Sequence, residues 1–168
     1  MKIFSKKNGF TLIELITVMV IVAILSVIAG MGLVQIANGY VFAKKNAIAA
    51  QQAQIALARL TKEFSKIQSI TTTTASPNVS ITYKRYTNEE GPGKTVEDHS
   101  VSWSGQEVKI DTDTLISNVK SFNLLYYNTY NDSSPSSSNS ALTVIIEITL
   151  TINGYNDTDL TFIERVVI

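Results

Sequence analysis

The chain has no cysteine, one histidine, one tryptophan and three prolines among its 168 residues. Without cysteine no disulfide framework is available, so any folded part must hold by packing or with the help of an ion. None of the prolines precedes Ser76, so nothing in the first 75 residues forces a break in a helix. There is no surplus of basic charge either. Fourteen lysines and arginines balance fourteen aspartates and glutamates, which removes the electrostatic footprint of a nucleic-acid binder. No phosphate loop, zinc signature or nucleophile motif is present. His99 is the single imidazole. Joining it to a serine and to Asp98 or Asp111 would be arithmetic, because a lone histidine among charged neighbours is ordinarily an exposed one. Catalysis is therefore not expected. The acidic pairs Asp111/Asp113 and Asp157/Asp159 could offer oxygen ligands to a structural calcium. Neither follows a defined calcium loop, so the expected cofactor is none.

One further absence organises the rest. No charged residue lies between Glu14 and Lys44. The run from Phe10 to Leu33 is apolar and long enough to cross a bilayer core about 30 Å thick, which needs roughly 20 helical residues. Glu14 is the anomaly within it. A carboxylate inside an apolar span costs on the order of 3 kcal/mol on insertion scales, so it marks function and needs a partner. A new amino terminus would serve. A cut after Gly9 would leave Phe10 with a free amine one helical turn from Glu14, available within a subunit or between neighbours. Two plainer readings fit less well. A secretory signal peptide cut after Ala29 would need an apolar region longer than the usual 7–15 residues, interrupted by Glu14. A plain single-span anchor explains the length but not Glu14 or the Gly-Phe junction. Lys2, Lys6 and Lys7 lie before the span and hold the amino terminus inside by the positive-inside rule. Without them 11 basic residues would face 14 acidic ones.

Gly9 followed by Phe10-Thr11-Leu12-Ile13-Glu14, with Lys6 and Lys7 upstream, resembles the class III signal of type IV pilins and type II secretion pseudopilins. The resemblance covers residues 1 to about 70 and beyond that only general architecture. It implies a prepilin peptidase that cuts after Gly9 and methylates Phe10, and a Glu14 that pairs with a neighbouring subunit's terminus. Other partners it implies are further pilins or pseudopilins, an inner-membrane platform protein and an assembly ATPase. It places the chain in the inner membrane as a single-pass protein with its carboxy-terminal domain outside, and then in a filament. Two departures point to a minor subunit. Many major pilins close a carboxy-terminal loop with a cystine, which this chain lacks. Many also distort the helix with a proline where this chain reads Gly30-Met31-Gly32, glycines that weaken a helix and leave room for local bending or melting.

After the span, Ala43, Ala47, Ala50, Ala53, Leu57, Leu60, Phe64 and Ile67 trace one helical face. Lys44, Lys45, Gln51, Gln52, Arg59, Lys62, Glu63 and Lys66 occupy the opposite side. A single helix from about Thr11 to about Ser69 is expected, close to 90 Å long at 1.5 Å per residue. The stretch Leu57 to Phe64 is similar to J-type minor pseudopilins and related minor pilins, which implies a role in filament priming or in a tip complex. From Thr71 the pattern turns to period two, the mark of half-buried strands. Such sets occur at Val79-Ile81-Tyr83, Val101-Trp103, Val108-Ile110, Phe122-Leu124-Tyr126, Leu142 to Ile152, and Leu160 to Ile168. Asp113 to Asn118 reads as a short helix or turn capped by Asp113. Asn88–Lys94 and Asn131–Ser140 read as loops, the second a mobile surface tip.

The expected fold is therefore α+β and pilin-like, with a long amino-terminal membrane-spanning helix packed on a carboxy-terminal antiparallel β-sheet domain. Its parts are a cleaved leader (1–9), a transmembrane half-helix (10–33), an amphipathic half-helix (34–70) and a β-rich external domain (71–168). The expected function is that of a structural filament subunit. The alternatives are a membrane-anchored binding module that never assembles and an enzyme tethered by the same span.

Overall fold

The computed structural model describes residues 9–75, 78–86, 95–139 and 143–168. The leader before Gly9, Pro77, the Asn88–Lys94 loop, Ser140 and Leu142 lie outside these described residues. Contacts divide the chain into two compact units, one ending at Ala43 and one spanning Lys44–Ile168.

The first unit is helical from Leu12 onward, the start of α1 (Leu12–Phe64, 53 residues). All its described residues are exposed. Its hydroxyls turn inward on the backbone. Thr17 Oγ1 donates to the Ile13 carbonyl at 2.8 Å, and Ser26 Oγ donates to the Val22 carbonyl at 2.7 Å. This satisfies both donors within the helix. The helix continues through Gly30 and Gly32.

The second unit holds the rest of α1 and two antiparallel sheets. The first sheet is ordered β1 (Ser69–Thr74), β2 (Ser80–Tyr86), β3 (Val96–Ser104), β4 (Glu107–Ile110) and β5 (Asp113–Ile116). The second is ordered β6 (Val119–Tyr127), β7 (Ile145–Asn153) and β8 (Asp159–Val167). Ala53, Ala56, Leu57, Leu60 and Phe64 of α1 are buried in one core with the apolar faces of both sheets. The α+β architecture expected from the sequence is present, with the helix against antiparallel strands. The helical stripe holds from Ala53 to Phe64, whereas Ala43 and Ala47 are exposed.

Three local expectations are corrected. The helix ends at Phe64 rather than near Ser69. Hydrogen bonds from Lys66 N to Glu63 O and from Ile67 N to Phe64 O tighten the chain out of the helix. The residues from Ile70 to Thr74 are β-branched and make up most of β1, with Ile70 opposite Tyr83 and Thr73 opposite Ile81. Second, Asp113 does not cap a helix. Asp111, at φ 54, turns the chain so that Ile110 pairs with Asp113, and Thr114-Leu115-Ile116 continues as β5. Third, β7 is not half-buried. It is the middle strand of its sheet, and both of its faces are covered along most of its length. On its second face Glu147 is only 8% exposed. Its carboxylate accepts from Tyr127 Oη at 3.0 Å and from Arg165 Nε at 2.7 Å, which satisfies a charge that would otherwise be costly.

Candidate functional site

The amino-terminal residues singled out by sequence lie together at the head of α1. Gly9, Phe10 and Thr11 are outside the helix and exposed. Thr11 is the capping residue. Its Oγ1 accepts from the Glu14 backbone N–H at 3.3 Å, and its carbonyl accepts the first helical bond from Leu15 N at 3.2 Å. The Gly9–Phe10 peptide bond is therefore held just beyond the first helical turn, clear of the helical hydrogen bonds. Phe10 is 82% exposed. Glu14 is the acid of the first turn and is itself exposed. A negative charge there is favoured by the helix dipole, by up to about 1 kcal/mol at an exposed site. That is less than the cost of placing the charge in hydrocarbon, so the cap alone does not compensate it. The capping role of Thr11 was legible from the pattern Thr-x-x-Glu, a capping-box signature, and was missed.

The other candidates are dispersed. Asp111 Oδ1 accepts from Ser100 N at 2.7 Å, and its Oδ2 lies 2.8 Å from His99 Nδ1. Burial alone would raise the Asp111 pKa, but the hydrogen bonds from His99 and Ser100 outweigh it and hold the carboxyl below its usual value. Asp113 is exposed and pairs with Ile110 at the start of β5. Asp159 is held by Lys120 Nζ at 2.7 and 2.6 Å. Among the described residues no group of three or more metal-ligating side chains gathers. His99 departs from expectation. Its side chain is 14% exposed, and its ring lies 6.2 Å from that of Tyr83. No serine completes a relay, because its Nε2 is buried with no partner among the described residues.

Glu63 also departs from expectation. Its position predicts the solvated side of the helix, yet its side chain is 14% exposed. It accepts from Tyr83 Oη at 2.9 Å and pairs with Arg85. Burial first, and then the Glu63 carboxylate, push the Tyr83 hydroxyl far above its usual pKa. No short-range sequence signal points to this contact, because twenty residues separate the partners. The serine-rich loop is anchored rather than loose. Ser136 exchanges backbone hydrogen bonds with Tyr126 at 2.9 and 3.0 Å, and Asn139 N donates to Thr73 Oγ1 at 3.3 Å.

Residues 4–30 match the family profile described as the prokaryotic N-terminal methylation motif. The match covers a small part of the chain and takes in Gly9, Phe10, Thr11 and Glu14. It supports a prepilin-type signal at the amino terminus, of the kind found in type IV pilin-like proteins. No curated protein matches the chain.

Proposed function

We propose that this chain is a pilin- or pseudopilin-type filament subunit, cut after Gly9, N-methylated on Phe10 and assembled through its apolar helix. One observation carries the reading. Every described residue from Gly9 to Lys45 is exposed, nearly all of the stretch is apolar, and Glu14 is its one charge before Lys44. Such a surface calls for lipid first and for other helices afterwards. The match to the methylation motif supplies the chemistry of the new terminus. In lipid, Glu14 is poorly compensated. A neighbour's amine at Phe10 offsets that cost and sets the axial register between subunits.

Prepilin peptidase, an inner-membrane platform protein and an assembly ATPase follow as partners. A minor subunit acting in priming or at the tip is favoured by the missing cystine and by Gly30-Met31-Gly32. Mass spectrometry of the mature protein tests the reading. It should begin at N-methylphenylalanine 10. A working form that retains residues 1–9 would overturn it.

A further inference from the structure

Within the second unit, the turn between β7 and β8 is fastened to Lys45 and Asn46, where α1 enters that unit. Tyr155 N donates to Asn46 Oδ1 at 2.7 Å, and Lys45 Nζ lies 4.2 Å from the centroid of the Tyr155 ring. Gly154 makes this fit possible. A Cβ there would lie 2.7 Å from Asn46 Oδ1 and 2.8 Å from the Thr158 carbonyl. The turn is well formed, with Asn156 at φ 62 and Asp157 at φ 56, and Tyr155 keeps 41% of its surface exposed. Charge at this place is mainly positive. Lys44 and Lys45 are both exposed. Asp159 is neutralised by Lys120, which leaves Asp157 as the carboxylate of the turn.

Lys44 and Lys45 are also the first charges after Glu14. From Thr11 to Lys44 is 44 minus 11, or 33 residues, a helical rise of about 50 Å. A bilayer with its headgroups is about 40–45 Å thick. A tilted helix whose Glu14 lies just inside the hydrocarbon would therefore bring the Lys44 side chain within reach of the outer headgroup layer. Lysine and tyrosine suit that layer, each with an apolar body and a polar tip.

We propose that Lys44, Lys45 and Tyr155 form a headgroup-binding collar that rests on the phosphates of the outer leaflet before assembly. The lysines bind phosphate, and the Tyr155 ring lies at the interface beside Lys45. Asn46 and Gly154 hold the ring in place. The collar fixes the height of the subunit in the membrane, and with it the depth of Glu14. This inference rests on the membrane reading of the helix given above.

The absence of cysteine makes the test direct. Single cysteines at Asn156, Ser65 and Val22 of the full chain are spin-labelled in vesicles of phosphatidylcholine, with and without phosphatidylglycerol. A nickel chelate on the lipid headgroup reports contact. The label at 156 should be relaxed strongly, more so with phosphatidylglycerol, and the label at 65 weakly. Lys44→Glu with Lys45→Glu should lower contact at 156 on the order of tenfold. Gly154→Ala should displace the turn and lower contact at 156 with both lysines intact. Equal relaxation at 156 and 65, or a signal at 156 that ignores both changes, overturns the collar. The label at 22 reports the span separately through dissolved oxygen, which concentrates in the hydrocarbon. A label at 22 outside lipid overturns the membrane reading and the collar together.

Discussion

The two units share one helix and obey opposite rules. Up to Ala43 the helix is almost wholly apolar and wholly exposed. From Lys44 onward it is half polar, yet Leu60 and Phe64 are completely buried. Local helix propensity does not separate these halves. What separates them is who covers the apolar face. In the second unit the cover is the chain's own sheets. In the first the chain's described residues supply no cover. On the function proposed above, hydrophobicity in the first unit is the interface, and hydrophobicity in the second is the core.

The sharpest way to break this comparison is to truncate one large side chain in each unit. Phe64→Ala should destabilise the Lys44–Ile168 unit by about 3–5 kcal/mol. Leu25→Ala, exposed on the same helix, should leave it within about 0.5 kcal/mol. Denaturant unfolding in detergent, followed by Trp103 emission, reads both. Equal costs would mean that the division into units is wrong.

Next in size is the Glu63 network. Glu63→Ala leaves Arg85 and the buried Tyr83 hydroxyl without their acceptor, and should cost about 1–3 kcal/mol. Tyr83→Phe loses one hydrogen bond and should cost about 1 kcal/mol at neutral pH. It should also change the alkaline limb. The Tyr83 pKa is raised in the folded state, so its stabilisation is complete below the unfolded tyrosine value, about 10, and declines above it. In Tyr83→Phe the fall in stability between pH 10 and 11.5 should be shallower. An unchanged slope would refute the assigned shift.

The smallest effect belongs to Asp111. Its carboxylate is 43% exposed, so solvent screens the pair and Asp111→Asn should cost less than about 1 kcal/mol. Because the folded pKa is depressed, this contribution is present above the unfolded aspartate value, about 3.9, and is lost as pH falls through the folded value. The gap between wild type and Asp111→Asn should therefore narrow as pH falls below the unfolded value of about 3.9. A gap that persists there would show a cost unrelated to charge.

How far the sequence could be read follows from the same contrast. The face Ala53-Leu57-Leu60-Phe64 was legible because a helix repeats its burial every three or four residues. Strands β2, β4 and β6 were legible because alternation marks a one-sided cover. β1 was missed because its threonines are mostly exposed and continue the helix without an apolar signal. β5 was missed because its two apolar residues, Leu115 and Ile116, stand side by side and show no alternation. Glu63 was misplaced because its position on the helix says solvent, while its partners come from β2. At the amino terminus Gly9, Phe10 and Glu14 stood out as chemistry. The Thr11 cap, a matter of backbone geometry, did not.

The central claim is that Glu14 is tolerated in an apolar helix because a processed neighbour brings its amine alongside. Glu14→Leu tests this most directly. Removing the charge should leave membrane insertion and cleavage after Gly9 intact, while the amount of subunit recovered in sheared filaments falls to background. Recovery of Glu14→Leu at the wild-type level, from cells where it is inserted and cut normally, would contradict the account.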